Sequence, residues 1–176
     1  MRIVFLLLLT AGCLLQSNLL KEPDVAAYLE AKLTHGDPRM VAAAVVSLAR
    51  VEGAAAVEKI AAVLDRNRRR DDGHQDIVCT TCVETFKELR VPSALPALAL
   101  ELEKTVGVTL HHEYGSKVVA AIGEIGDPAG VGALQAYAER LRALKVKQSG
   151  NPKGEQYFQS KIDEVVATMT RLQQER

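Results

Sequence analysis

The chain nearly repeats itself, and this constrains its fold more than any other feature. Segments beginning at Met40-Val41, Val78-Cys79 and Tyr114-Gly115 align without gaps at their centres, at offsets of 38 and then 36 residues. Internal periods of this size mark stacked units, none of which buries its apolar face alone. The first half of each unit carries apolar residues at helical spacing: Val41, Ala44, Val45, Leu48 and Val51, then Cys79, Cys82, Val83, Phe86 and Leu89, then Val118, Val119, Ile122 and Ile125. The second half does the same with Val57, Ile60, Ala61 and Leu64, with Leu95, Leu98, Ala99 and Leu102, and with Val131, Leu134 and Ala138. Each unit is predicted to be a helical hairpin. Pro92 and Pro128 share a column at the first turn of the second helix, where a missing amide is harmless, and Asp127 is placed to cap that helix.

Composition sets what fills the interior. Aromatic residues are 4% of the 176 residues and Trp is absent, so the core is built from Ala, Val, Leu and Ile, and closely packed helices follow. Lys+Arg and Asp+Glu both number 22, which removes the broad positive field that nucleic acid or an anionic membrane surface selects for. The run Arg66, Arg68, Arg69, Arg70, Asp71, Asp72, Gly73 is mixed in sign and lacks interleaved aromatics, so it reads as a solvated loop between repeats and not as a nucleic-acid patch.

Both ends of the stack carry a further helix. Pro23 to Leu33 places Val25, Tyr28, Leu29 and Leu33 inward. After a polar loop over 148–154, the last helix sets Phe158, Ile162, Val165, Val166, Met169 and Leu172 on one face. Lys161, Asp163, Glu164 and Arg171 give that terminal helix the polar side an end cap requires.

The third unit, Ala120-Ala121-Ile122-Gly123-Glu124-Ile125-Gly126-Asp127-Pro128 followed by Val131-Gly132-Ala133-Leu134, resembles a HEAT repeat of the short bacterial, phycobilisome-lyase-like type, and the likeness extends over about residues 37–145. The resemblance implies an all-α, right-handed α-solenoid of about three HEAT-like hairpins, with units near 37–66, 75–104 and 112–145, a first helix, and a C-terminal capping helix over 155–174. Second helices would line its concave face. It does not imply lyase activity, because the fold serves many functions.

The N-terminus reads as an address. Arg2 precedes the apolar run Ile3 to Leu15, about 13 residues, which is short of the roughly 17–25 that span a bilayer and matches the apolar region of an export signal. Leu9-Thr10-Ala11-Gly12-Cys13 resembles the lipobox of bacterial lipoproteins. That resemblance implies a signal peptide over 1–12, a diacylglycerol on the Cys13 thiol, a lipidated tether over 13–21 and a helical repeat domain over 22–176. Leu14 after the Cys, in place of Asp, implies an exported lipoprotein of the outer membrane facing the periplasm.

Candidates for chemistry are few. Cys79-Thr80-Thr81-Cys82 is open to three readings, a disulfide, a redox centre or half of a zinc site, with His74 nearby in sequence. Val83 stands where a haem motif needs His, no strand precedes the motif, and His74, His111 and His112 have no ligand spacing. The repeat columns put Cys79 with Val41 and Cys82 with Ala44 and Val118, so both are expected in the core as small apolar side chains, not bridged to each other. No nucleophile elbow, zinc-protease, P-loop or dinucleotide motif is present. The expectation is a non-enzymatic scaffold without cofactor or metal that binds a protein partner. The alternatives are a ligand, metal or redox protein using Cys79, Cys82 and His74, and a spacer with no dedicated partner.

The columns also point to a partner surface. Near the end of each second helix the acids Asp65, Glu103 and Glu139 stack, with the bases Arg66, Lys104 and Arg140 beside them, an arrangement that suggests an acid-to-base ladder between repeats. Next to it, the outward columns Glu58, Pro96, Gly132 and Ala62, Leu100, Ala136 are small and mostly uncharged. Leu100 is the one bulky apolar residue there and the expected anchor for a partner, with Ala62, Ala136 and Pro96 as its surroundings.

Overall fold

The computed structural model describes residues 23–68, 75–105 and 112–174. Cys13 with the signal and tether segments, residues 69–73, His74 and His111 lie outside the described residues.

Every regular element among the described residues is helical. In chain order these are α1 (Pro23–Lys32), α2 (Pro38–Glu52), α3 (Val57–Arg68), α4 (Gln75–Leu89), α5 (Leu95–Thr105), α6 (His112–Ile125), α7 (Val131–Lys147) and α8 (Pro152–Gln174). Short 3-10 turns, Gly53–Ala56, Pro92–Ala94 and Pro128–Gly130, join α2 to α3, α4 to α5 and α6 to α7.

The sequence dictates these corners. α2, α4 and α6 each end on a left-handed residue, Gly53 (φ 60°), Arg90 (φ 52°) and Gly126 (φ 76°), which turns the chain out of the helix. Arg90 occupies that conformation without glycine's freedom, and its guanidinium reaches Glu124 of α6 at 2.8 Å. Asp37 caps α2 by accepting a hydrogen bond from the Arg39 amide at 2.9 Å. Asp127 makes the same contact with the Ala129 amide at 2.8 Å, but it opens the 3-10 turn and not α7 itself.

Packing follows the columns. α2, α4, α6 and α8 lie against one another in succession, as do α5 and α7, and more lightly α3 and α5. α1 also packs on α2, α3 on α4, α5 on α6 and, most extensively, α7 on α8. Within each predicted hairpin the two helices meet mainly through the corner turn, so helix contact is richer between repeats than inside one. The single core runs through Val45, Leu48, Ile60, Leu64, Cys82, Phe86, Leu98, Leu102, Val118, Ile122, Leu134 and Leu141. The run Pro38–Arg68 is long and apolar enough by composition to cross a membrane. In the fold it is α2, a corner and α3, and its apolar faces enter this core.

The last residue of each corner turn is small and buried: Ala56, Ala94 and Gly130, one column of the repeat. A Cβ on Gly130 would lie 2.5 Å from Ile122 Cγ2 and 3.5 Å from Leu95 Cδ2. Ala94→Val and Gly130→Val are therefore expected to cost about 1–3 kcal/mol by overpacking. Ala55→Val and Ala129→Val, on the exposed neighbouring column, should stay within about 0.5 kcal/mol. Urea titration checks this, and equal costs in the two columns would refute the packing at the corners.

The end helices depart from expectation. Tyr28 is 60% exposed, because α1 has one close neighbour and Leu29 and Leu33 take that contact; its ring faces the Lys32 ammonium at 5.2 Å. Val166 is exposed, one step off the seam of Phe158, Ile162, Val165 and Leu172. α8 begins at Pro152, so the polar loop is shorter than predicted. Arg66 and Arg68 belong to α3 and are not part of a loop.

Candidate functional site

α5 sends alternate faces to opposite tasks. Leu95, Leu98 and Leu102 enter the core, which leaves Pro96, Ala99, Leu100 and Glu103 on the other side. α7 divides the same way, burying Leu134, Tyr137, Ala138 and Leu141 and presenting Ala133, Ala136, Glu139, Arg140 and Ala143. Between the two presented faces runs an open groove of about 810 Å³. Its walls are low because they are alanine and proline, and Leu100, 37% exposed, is the bulky side chain standing in it. The groove brings together Pro96, Leu100, Ala136, Glu103, Glu139 and Arg140 from the sequence-derived set. Ala62 is exposed on α3 and lies outside it.

The charged columns contact their neighbours differently from the ladder expected. Arg140 Nη1 donates to the backbone carbonyl of Glu103 at 3.2 Å, and Arg66 Nη2 donates to the carbonyl of Leu33 at 2.6 Å. Both carbonyls lie at the C-terminal end of the preceding second-row helix, α5 or α1, where the last carbonyls lack intrahelical donors and attract cations. Base therefore meets backbone carbonyl where carboxylate was expected. Asp65 pairs within α3, accepting from Arg68 Nη1 at 2.9 Å. Glu139 accepts from Gln135 Nε2 at 3.4 Å, and among the described residues neither Glu103 nor Glu139 has an ion-pair partner, nor has Lys104.

Sequence reasoning did not find the buried polar cluster that joins α5 to α3 and α6. Glu101 on α5, almost fully buried, accepts from Arg68 Nε at 2.5 Å and from the Tyr114 hydroxyl at 3.0 Å. These contacts tie α3, α5 and α6 together. Burial pushes the Glu101 carboxyl above its ordinary value despite Arg68 and Tyr114, and burial with the Glu101 charge pushes the Tyr114 hydroxyl up as well.

No protein-family model, curated protein or solved structure matches the chain. What the sites do has to come from their own side chains.

Cys79 and Cys82 are buried thiols, 5% and 0% exposed, with no disulfide between them. Burial first, then the neighbouring Cys79 and Glu101, pushes the Cys82 thiol well above its ordinary value. Burial and a raised pKa both disfavour the thiolate, the reactive form of a cysteine. No group of three or more His, Cys, Asp or Glu able to hold a metal occurs among the described residues.

Lys161 Nζ donates to Ser116 Oγ at 2.6 Å, a spacing that a serine–lysine nucleophile pair would also have. Ser116 Oγ in turn donates to Glu164 Oε2 at 2.8 Å, and Glu164 lies 3.4 Å from the ammonium. Ser116, Lys161 and Glu164 thus close a hydrogen-bonded trio between α6 and α8. The trio fastens α8 to α6, so Lys161 and Glu164 do more than face water.

Proposed function

We propose that the protein is a non-enzymatic, lipid-anchored HEAT-like α-solenoid of the bacterial cell envelope that binds another protein in the groove between α5 and α7. The anchor is Cys13, exported behind the signal over 1–12 and placed in the outer membrane facing the periplasm. Support for the solenoid comes from the succession α2, α4, α6, α8 on one side and α3, α5, α7 on the other. Support for a scaffold over a redox or metal protein comes from the burial of both helical cysteines. The observation that carries the reading is Leu100, a bulky apolar side chain left in an open, small-walled groove beside carboxylates that the fold does not pair.

Crosslinking in intact cells followed by membrane fractionation tests it. Cys13→Ala should yield an uncut precursor that fractionates differently, and unchanged processing with membrane retention would refute the anchor. Leu100→Arg should abolish the crosslinked partner band while unfolding stability stays within about 0.5 kcal/mol, as for an exposed position. Retained crosslinking with Leu100→Arg would refute the groove as the binding surface.

A further inference from the structure

Two observations narrow what can occupy the groove, given the reading that it is the binding surface. The first is its charge. The chain as a whole is neutral, yet the groove presents two carboxylates, Glu103 and Glu139, one from each wall. Among the described residues Arg140 is the cation in its lining, and its single charge offsets one of the two. Arg140 spends Nη1 on the Glu103 carbonyl oxygen, and its Nε is buried without a hydrogen-bond partner. The lining keeps a net negative charge, which disfavours phosphates and acidic peptides, whereas a cation finds a carboxylate on either wall.

The second is size and texture. About 810 Å³ between alanine walls takes a few side chains and not a folded surface, and Leu100 provides one apolar contact at its centre. Arg140 offers only donors, so the occupant must supply a carbonyl-type acceptor if it displaces the Glu103 carbonyl. The exposed ends of a helix or extended segment carry such carbonyls.

We infer that the groove takes a short amphipathic segment of a partner protein, with an aliphatic side chain against Leu100 and adjacent Lys or Arg between Glu103 and Glu139. Its acidic counterpart is rejected. Affinity for such a segment falls with ionic strength because both carboxylates are exposed to solvent.

The test is selection of a random peptide library, about a dozen residues long, on the immobilised full chain, with Leu100→Asp and Glu103→Gln/Glu139→Gln as counterparts. The expected result is enrichment of peptides that pair an aliphatic residue with Lys or Arg and exclude Asp and Glu. Those peptides should be lost on Leu100→Asp and weakened about tenfold on the double Gln variant, as two exposed charge pairs predict. Peptides that depend on Leu100 but show no basic bias, or no response to the double Gln variant, would overturn the inference and leave the groove reading standing. Peptides indifferent to Leu100→Asp, or no enrichment at all, would overturn both. Circular dichroism melts of each variant, matching the wild type, keep misfolding from imitating a loss of binding.

Discussion

Glu101→Leu is expected to lower the unfolding free energy by about 3 kcal/mol, because it removes one partner of a buried pair and leaves the others in place. Arg68, whose side chain is 11% exposed, loses its buried carboxylate partner, and the Tyr114 hydroxyl loses the acceptor it donates to. For a chain of this length the melting temperature should fall by roughly 6–12 °C. Removing the charge on both sides, as Glu101→Leu with Arg68→Met, should restore much of the loss, since buried ion pairs replaced by apolar residues of similar volume are often neutral. A Glu101→Leu variant as stable as the wild type would show that α3, α5 and α6 are not held by this cluster.

The same carboxyl gives a pH signature of definite sign. Burial raises its folded-state pKa above the ordinary 4.5, so the stability it contributes is complete below about pH 4.5 and is lost as pH rises through the folded-state value. Glu101→Gln retains an acceptor but does not titrate. Across that rise the Gln variant should therefore gain stability relative to the wild type, as measured by paired urea titrations at pH 4 and pH 7. A gap that moves the other way would mean that Arg68 outweighs desolvation.

Where the sequence could be read, a repeat column carried the information. Val41, Leu48, Ile60, Leu64, Leu98, Ile122 and Leu134 are buried as their spacing predicts, because a helix in a stack has neighbours at fixed angles. Leu100 is outward for the same reason: Leu98 and Leu102 already claim the inner face. The columns also hold a clue to Glu101. Glu101 stands 38 residues after Val63 and 36 before Tyr137, both buried, so a carboxylate there has to find a partner inside. Which partner was not legible. Arg68 reaches it from the last turn of α3 and Tyr114 from the first turn of α6, and both contacts depend on how helices cross.

The phase of packing was hidden for a related reason. A period fixes the length of a unit and says nothing about which neighbouring helices come closest. Here the direct connections are tight 3-10 corners around small residues, and the helices they join touch each other less than they touch helices of the neighbouring repeats. The outer faces of α1 and α8 depart from the pattern because each of these helices has few neighbours among the described residues, which leaves Tyr28 and Val166 exposed at helical spacing.

Phe86→Ala should cost about 3–5 kcal/mol, the range for truncating a fully buried aromatic side chain. The chain has three Phe and no Trp, and Phe86 is the largest of its fully buried side chains, so nothing of comparable size is at hand to refill the space. Phe86→Leu, which keeps most of the volume, should cost less than about 1.5 kcal/mol. Where the damage spreads tells a solenoid from an ordinary helical bundle. α4, which carries Phe86, packs on α2, α3 and α6 and is separated from α1 and α8 by at least one helix. In a stack whose stability is a sum of nearest-neighbour terms, hydrogen exchange in Phe86→Ala should accelerate in α2, α3, α4 and α6 and much less in α1 and α8. Equal acceleration in every helix would mean that the molecule unfolds as one unit, and would remove the support that successive packing lends to a HEAT-like array.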